Sequence, residues 1–594
     1  MPSLDWIGKQ AVVNHHRKVP YRLLHCDKAL SVGDPDSGNL LVQGDNLEAL
    51  QALRPYYAGK VKCIYIDPPY NTGNEGWIYN DNVNSPEIRR WLGEVVGKEA
   101  EDLTRHDKWL CMMYPRLALL RDFLTEDGVI FVSIDDNELQ NLCSLMDELY
   151  GRRCRLGILV WKSRHFTDTR PLTGISEDHE YVVVYGRNAN NRLRGKDKDF
   201  SKYKNPDNDP RGPWTSCSLL GKATREQRPN LHYDFTDPIT GDLFPCPPRT
   251  GWICAEETMR RYAVESRLLY PRQAGGRLRQ KVFRAELKSD VMGFPSVITE
   301  HSTSHGTEAL RTLLADQAFS FPKAPGLVRD LILQATGPED LVLDSFAGSG
   351  TTGEAVLAAN AQDGGRRRFL LIEMSGEVAT QVTCKRLATV ITGRREDGSN
   401  WDRSAEQLLS EEKITLTALR NSEELLSKAN DVVEAHRGEF DGLTKVIEDG
   451  FLRVYGKKQE RGVGYGGGVL FCKLGGTLFD DAGIVSDQVR FSDLAAHVFF
   501  AETGSPIPKR ATGKSPLLGV HQGRAIYLLF NGVLGDKRPA GGNVLTHAVA
   551  EALPAHPEGH GPRLVLGEAC RLGEKALAAY GITFRQIPFD VKVG

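Results

Sequence analysis

No Cys-x-x-Cys pair occurs among the eleven cysteines, which scatter from Cys26 to Cys570 without the paired spacing of a zinc site. The expectation is therefore reduced, mostly buried thiols and no metal. No apolar run approaches the length that crosses a bilayer, so no membrane role is expected. The stretch from Met1 to Lys9 contains Asp5 and lacks the apolar core of a secretory signal, which makes the cytoplasm the expected location. An excess of one charge is missing too. A formal net charge of −2 over 594 residues gives no global attraction to nucleic acid, so a nucleic-acid footprint has to be local.

What is present points to a large α/β protein. The length predicts two to four domains. Two segments read as buried strands running into functional loops: Val61 to Ile66 followed by Asp67-Pro68-Pro69-Tyr70, and Leu341 to Asp344 followed by Ser345-Phe346-Ala347-Gly348-Ser349-Gly350. A helix-like run from Thr352 to Asn360 follows the second. Further strands are predicted at Gly128 to Ile134, Tyr181 to Tyr185 and Arg368 to Glu373. Strands alternating with helices predict a doubly wound α/β sheet, whose ligands bind at the strand C-terminal edge. Residues 186–318 are rich in Pro, Gly, Asn and Arg and interrupt the pattern as an inserted domain. Beyond about Gly393 the character changes. Ser404 to His436 reads as helical and charged, and glycine-separated strands follow, so residues 396–594 are expected to form a separate α+β module.

The loop Gly348 to Gly353 fits the fingerprint Gly-x-Gly-x-x-Gly, and Glu373 ends the next predicted strand. Glycine permits close approach of a ligand to the turn, and a carboxylate can accept from both hydroxyls of an adenosine ribose. Nicotinamide cofactors and S-adenosylmethionine share that adenosine, so the spacing alone leaves both open. A phosphate-cradling loop fits worse, because Glu354 stands where that motif needs Lys.

Asp67-Pro68-Pro69-Tyr70 has a chemical logic for methylating an amino group on an aromatic ring. Ring conjugation makes such a nitrogen a poor nucleophile. If the Asp67 carboxylate and the Pro68 carbonyl accept its two hydrogens, the nitrogen pyramidalises and its lone pair is aimed at an electrophilic methyl. Pro68 and Pro69 restrict the backbone that carries the carbonyl, and Tyr70 offers a face for a base taken out of a duplex. No covalent nucleophile is needed. An oxidoreductase using NAD would leave this loop unexplained.

Together these motifs resemble the β class of amino-group DNA methyltransferases, in which the catalytic motif precedes the cofactor motif. The order here is Asp67 to Tyr70, then the insert, then Phe346-Ala347-Gly348-Ser349-Gly350. Phe319-Ser320-Phe321-Pro322-Lys323-Ala324-Pro325 is similar to the family segment that completes the cofactor site. Tyr65 to Gly73, His179-Glu180-Tyr181 and Asn205 to Gly212 resemble the modification subunits of type III restriction-modification systems. The resemblance implies a Rossmann-like methyltransferase sheet with circularly permuted motif order. Its catalytic half is residues 1–185, its target-recognition insert 186–318 and its cofactor half 319–395. It also implies S-adenosylmethionine as cofactor, held by Asp344, Phe346, Ala347, Gly348, Gly350, Thr351, Glu373 and Lys323, with Asp45 in support. Duplex DNA as substrate, a homodimer and a helicase-nuclease partner are implied as well. Asp at the first position of the tetrapeptide favours adenine N6 over cytosine N4. An RNA or other-amine methyltransferase and an inactive assembly subunit are the remaining alternatives.

From Arg249 to Lys288 ten Lys or Arg stand against four Glu, a candidate phosphate footprint. Within it Arg277, Arg279, Lys281 and Arg284 are interleaved with Leu278 and Phe283, a pattern that turns an apolar face inward and charge outward. Trp77 and Trp252 are candidates for stacking on displaced bases, with burial the simpler role.

Overall fold

Continuous β-branched and apolar runs are what a parallel strand needs when helices cover both faces of its sheet. In the computed structural model Val61, Cys63, Ile64 and Ile66 are fully buried, as are Val342, Leu343 and Phe369 to Ile372. Each such side chain contributes about 1.5–3 kcal/mol by leaving water. The structure describes residues 4–72, 104–164, 166–167, 174–246, 250–271, 276–314, 319–448, 450–461, 464–479, 485, 489–535 and 542–587.

Among the described residues the principal sheet has ten strands: β1 (Arg22–Gly33), β2 (Leu40–Gln43), β3 (Val61–Ile66), β4 (Leu124–Ile134), β5 (Arg155–Trp161), β6 (Glu180–Gly186), β7 (Val297–Ile298), β8 (Leu341–Asp344), β9 (Arg368–Glu373) and β10 (Gly468–Thr477). Their spatial order is β1-β10-β2-β9-β8-β3-β4-β6-β5-β7. The centre is parallel, β8 pairing with both β9 and β3 and β3 with β4. β6 lies antiparallel between β4 and β5.

Helix α1 (Asn46–Tyr57) begins at Asp45, whose side chain accepts from the Leu47 and Glu48 amides. Helix α2 (Arg105–Phe123) begins with a capping box between Thr104 and Asp107. Helices α3 (Pro325–Ala335) and α4 (Thr351–Asp363) flank β8 in sequence. From β8 the chain runs through α4 to β9 on one side, while from β3 it runs through α2 to β4 on the other. The strand order therefore reverses between β8 and β3. Such a switch point opens a crevice at the strand C-terminal ends, here immediately after Asp344 and Ile66.

The chain divides into two compact units, residues 1–193 with 295–594, and residues 194–294. The compact insert is thus shorter than the predicted 186–318. Its flanks belong to the larger unit because Val297 and Ile298 pair in parallel with β5. Within the insert, three short strands (Trp214–Ser218, Leu268–Leu269, Arg279–Phe283) form one sheet over a core containing Leu219, Phe235, Trp252, Met259 and Leu278.

The C-terminal third is not separate from the sheet. β10 inserts between β1 and β2, parallel to β2 and antiparallel to β1. The predicted helix from Ser404 starts instead as a strand, Asp402–Lys413, in a three-stranded antiparallel sheet with Gly442–Glu448 and Phe451–Arg461. Helices follow only at Leu416–Arg420 and Ser422–Ala435. Cross-strand pairing overrides the helix propensity of Glu, Gln and Leu there. The expectation of free thiols fails for one pair. Cys26 and Cys472 sit directly opposite each other on β1 and β10 and are joined as a disulfide.

Candidate active site

β3 and β8 deliver the two sequence motifs to one crevice. Tyr65, Asp67, Phe319, Lys323, Asp344, Phe346, Ala347, Gly348 and Thr351 line a single cleft. Of the predicted cofactor residues, Gly350 and Glu373 adjoin it through the turn. Gly350 caps α4 with φ +83°, where an added Cβ would stand 3.0 Å from Thr383 Cγ2. Gly348 has φ +51°, and a Cβ there would meet the Phe319 ring at 3.3 Å. Both positions need glycine because the left-handed conformation and the close neighbours leave no place for a side chain.

Two carboxyls anchor the turn. Asp344 accepts from the Phe346 amide at 2.9 Å and from Thr352 Oγ1 at 2.5 Å, and burial pushes its carboxyl up to about 7. Glu373 accepts from the Gly348 amide at 2.8 Å and the Ser375 amide at 2.9 Å. Burial pushes Glu373 up to about 7 as well, against the amides that favour its charge.

The other face of the turn is held by a residue that sequence reading missed. Arg386 is fully buried. Its Nε pairs with Glu354 Oε2 at 2.7 Å, and its Nη1 donates to Ser349 Oγ at 2.7 Å and Thr351 Oγ1 at 2.8 Å. Glu354, the residue that argued against a phosphate loop, is the counter-ion of this arginine. Its departure from the Lys of that motif was the available signal.

Asp45 is committed elsewhere. One carboxylate oxygen caps α1 and the other pairs with buried Arg116 at 3.1 Å, so Asp45 does not line the cleft. Its neighbour Asn46 reaches the turn, donating to the Ser345 carbonyl at 3.3 Å.

At the catalytic loop the Trp109 indole donates to the Pro69 carbonyl at 2.7 Å. Asn71 has φ +60° and donates to the Arg105 carbonyl at 3.1 Å and to Glu138 at 2.5 Å. These contacts, from α2 and the residue before the next helix, fix the direction of the Asp67-Pro68-Pro69-Tyr70 backbone. Asp67 is buried with its carboxyl against the Tyr70 hydroxyl and the Lys323 ammonium, Lys323 Nζ lying 3.3 Å from Oδ1. Burial raises the Asp67 carboxyl above its usual range, and the Lys323 ammonium pulls it back. A buried carboxylate is costly without such partners, and here it faces the cleft shared with the glycine turn.

A family model described as DNA methylase matches residues 61–383, more than half the chain. The chain belongs to the DNA methylase family. Among relatives of this chain, the type III restriction-modification enzyme EcoPI Mod subunit of Escherichia phage P1 is 35% identical over 417 residues, covering 62% of this chain and 63% of that protein. The EcoP15I Mod subunit of Escherichia coli is 32% identical over 425 residues, with 63% and 64% covered. The type II methyltransferase M.KpnI of Klebsiella pneumoniae is 30% identical over 372 residues, with 58% and 82% covered. The chain thus spans slightly under two thirds of the Mod subunits it matches.

In the insert the four predicted DNA-contact residues separate into two kinds. Arg277, Arg279 and Arg284 are exposed, Arg279 donating to Ser216 Oγ at 2.6 Å and Arg284 lying 4.2 Å from the Phe200 ring. Lys281 differs from the expectation. It is 8% exposed, and its ammonium is spent on Asp207 and on Asp209 at 3.2 Å. The turn Asn205 to Gly212 is built around it: the Asn205 side chain donates to the Asp209 carbonyl and accepts from the Asp209 amide, and Arg211 holds the Asp209 carboxyl well below the usual carboxylate range. Other charges of the basic stretch are also neutralised locally, Arg267 by Glu265 and Glu286, and Arg260 by Glu256. Trp252 is a core residue whose indole donates to the Tyr233 carbonyl at 2.7 Å, while Trp77 lies outside the described residues. Among the described residues no group of three His, Cys, Asp or Glu could hold a metal, and no helix is long and apolar enough to cross a membrane.

Proposed function

We propose that this protein transfers a methyl group from S-adenosylmethionine to the N6 amino group of adenine in duplex DNA, as the modification component of a type III-like restriction-modification system. The observation that carries the chemistry is the buried carboxylate of Asp67, an acceptor beside Tyr70 at the cleft that the glycine turn also lines. The cleft suits the cofactor: the glycine turn leaves room for close approach, and Glu373 ends β9 beside it as acceptor for ribose hydroxyls. Phe319, Phe346 and Gly348 would bound the adenosine. When bound, the cofactor supplies a methyl on a sulfonium, an electrophile that needs no further activation.

The chain's own residues do the rest. Asp67 accepts one hydrogen of the target amine and the Pro68 carbonyl the other, which moves the nitrogen lone pair out of conjugation. The Trp109 bond to Pro69 and the Asn71 anchors hold those acceptors in place before substrate arrives. Tyr70 supports the ring of the base, which has to leave the duplex to bring its amine to Asp67.

Duplex DNA and a restriction subunit as partners are supported by the Mod subunits among the relatives, and a homodimer is part of the same proposal. Exposed Arg277 and Arg279 are proposed as phosphate contacts. Alanine at each is expected to weaken DNA binding across sequences and to reduce the slope of log K against log salt by about one. Filter binding at several salt concentrations checks this. Lys281→Ala should instead destabilise the insert, leaving Asp207 and Asp209 without their cation, which thermal unfolding detects.

The reaction itself is tested with methyl-labelled S-adenosylmethionine, mixed-sequence duplex DNA and digestion to nucleosides. Label in N6-methyladenine is the expected result. Label in N4-methylcytosine would move the target base, and label in RNA but not DNA would overturn the substrate.

A further inference from the structure

The ammonium of Lys323 lies between Asp67 and Glu180. Its Nζ lies 3.3 Å from Asp67 Oδ1 and 2.7 Å from Glu180 Oε2, donates to Tyr70 Oη, and sits 4.6 Å from the centre of the Tyr70 ring and 5.3 Å from that of Trp161. Tyr70 Oη in turn donates to Glu180 Oε2 at 3.0 Å. Lys323 is 9% exposed, so these partners are what allow a charged ammonium to be buried there. An N–H aimed at Asp67 from beside Tyr70 is the contact that the amine of a base stacked on that ring would also make. Both donors cannot take the same place at Asp67 Oδ1 at once.

Glu180 reaches this point because β6 runs against its neighbours. Tyr181 pairs with Ile134, the last residue of β4, and Glu180 with Trp161, the last of β5. The first residue of β6 therefore lies at the edge where β3 and β8 end. Neither its position in the sequence nor its type announces this.

We propose that Lys323 and Glu180 form a displaceable ion pair: with the pocket empty, Lys323 occupies the place of the target amine and keeps Asp67 a carboxylate. When the base arrives, the ammonium yields Asp67 to it and remains on Glu180. The inference rests on Asp67 being the acceptor proposed above. Lys323 and Glu180 are positioning residues in this scheme, because they act through Asp67.

The groups facing Asp67 are Lys323, Glu180, Tyr70 and Tyr65, with Asp344 across the cleft. Lys323 is the cation among them, and Glu180 opposes ionisation. Removing Lys323 alone leaves two carboxyls side by side, and removing both members restores the balance. Lys323→Met should move the acid limb of kcat/KM for methyl transfer to higher pH by about 1–3 units. The double variant Lys323→Met with Glu180→Gln should return it toward the wild-type position. Lys323→Arg keeps the cation and serves if the methionine variant does not fold. Its acid limb should stay in place, while KM for DNA rises and kcat holds, because a forked guanidinium is harder to displace.

The assay is label transfer to mixed-sequence duplex DNA from pH 5.5 to 9.5. Wild-type protein that transfers no label would remove the premise about Asp67. Wild-type transfer with an acid limb unmoved in Lys323→Met, or a double variant no closer to wild type than the single, would overturn the ion pair while leaving the reaction intact. An acid limb displaced in Lys323→Arg would overturn it too.

Discussion

Asp67→Ala is expected to lower methyl transfer to DNA by at least about 100- to 1,000-fold, the usual cost of losing one preorganised group that meets charge developing in a transition state. Cofactor affinity should change little. Glu373 and the glycine turn are held by their own amides and by Arg386, none of which touches Asp67. The fold should also survive. Asp67 is a carboxyl whose burial is unfavourable, and Lys323 keeps Glu180 as a partner at 2.7 Å when Asp67 is gone. Asp67→Asn separates shape from charge. It retains one oxygen acceptor without the negative charge, so partial activity is expected, below wild type and above alanine. Single-turnover label transfer with saturating cofactor, beside calorimetric cofactor titration, makes the comparison. Transfer by Asp67→Ala at the wild-type rate would end the assignment of Asp67.

Glu373→Gln is expected to weaken S-adenosylmethionine binding by about 10- to 150-fold, the equivalent of about 1.5–3 kcal/mol for hydrogen bonds to a charged acceptor. The pH dependence gives an independent check on the same carboxyl. Burial pushes Glu373 up to about 7, so below that pH the group is protonated and can no longer accept from both ribose hydroxyls. Wild-type affinity should therefore fall as pH drops from 8 to 6, by about tenfold if this group alone governs binding. The variant should lose most of that dependence. Stability runs in the opposite sense. A carboxyl whose folded value is raised above its ordinary 4.5 binds its proton more tightly when folded, so the unliganded protein loses stability as pH rises from about 4.5 to about 7. Glu373→Gln removes that loss, and at pH 8 the unliganded variant should melt higher than the wild type. Calorimetric titration from pH 6 to 8 and thermal melts without cofactor read both effects. An affinity independent of pH in the wild type would place the ribose elsewhere.

The strands carrying the two motifs were legible because a parallel strand buried on both faces has no polar face to confuse its pattern. Val61 to Ile66 and Leu341 to Asp344 are the strands the apolar runs predict. Ser404 to Lys413 was misread for the complementary reason. Its Glu, Gln and Leu favour a helix locally, and only the partner strand Phe451–Arg461, about fifty residues on, makes it a strand. Lys281 carries the same lesson on charge. It shares its sequence neighbourhood with Arg277 and Arg279, yet Asp207 and Asp209, more than seventy residues earlier, neutralise it.

By itself the sequence determined the chemistry of the two loops. Proline pairs, glycines with no room for a side chain and an acid at a strand end are local requirements, written in consecutive residues. The tertiary structure decided which distant groups surround them. The reversal of strand order between β8 and β3 brought the loops into one crevice. The antiparallel course of β6 brought Glu180 to Lys323, α2 brought Trp109 to Pro69, and Arg386 came to brace the turn. Charges and hydrogen bonds act through space over a few ångströms, so the partners that tune Asp67 and hold the turn are set by chain crossings that local sequence does not encode.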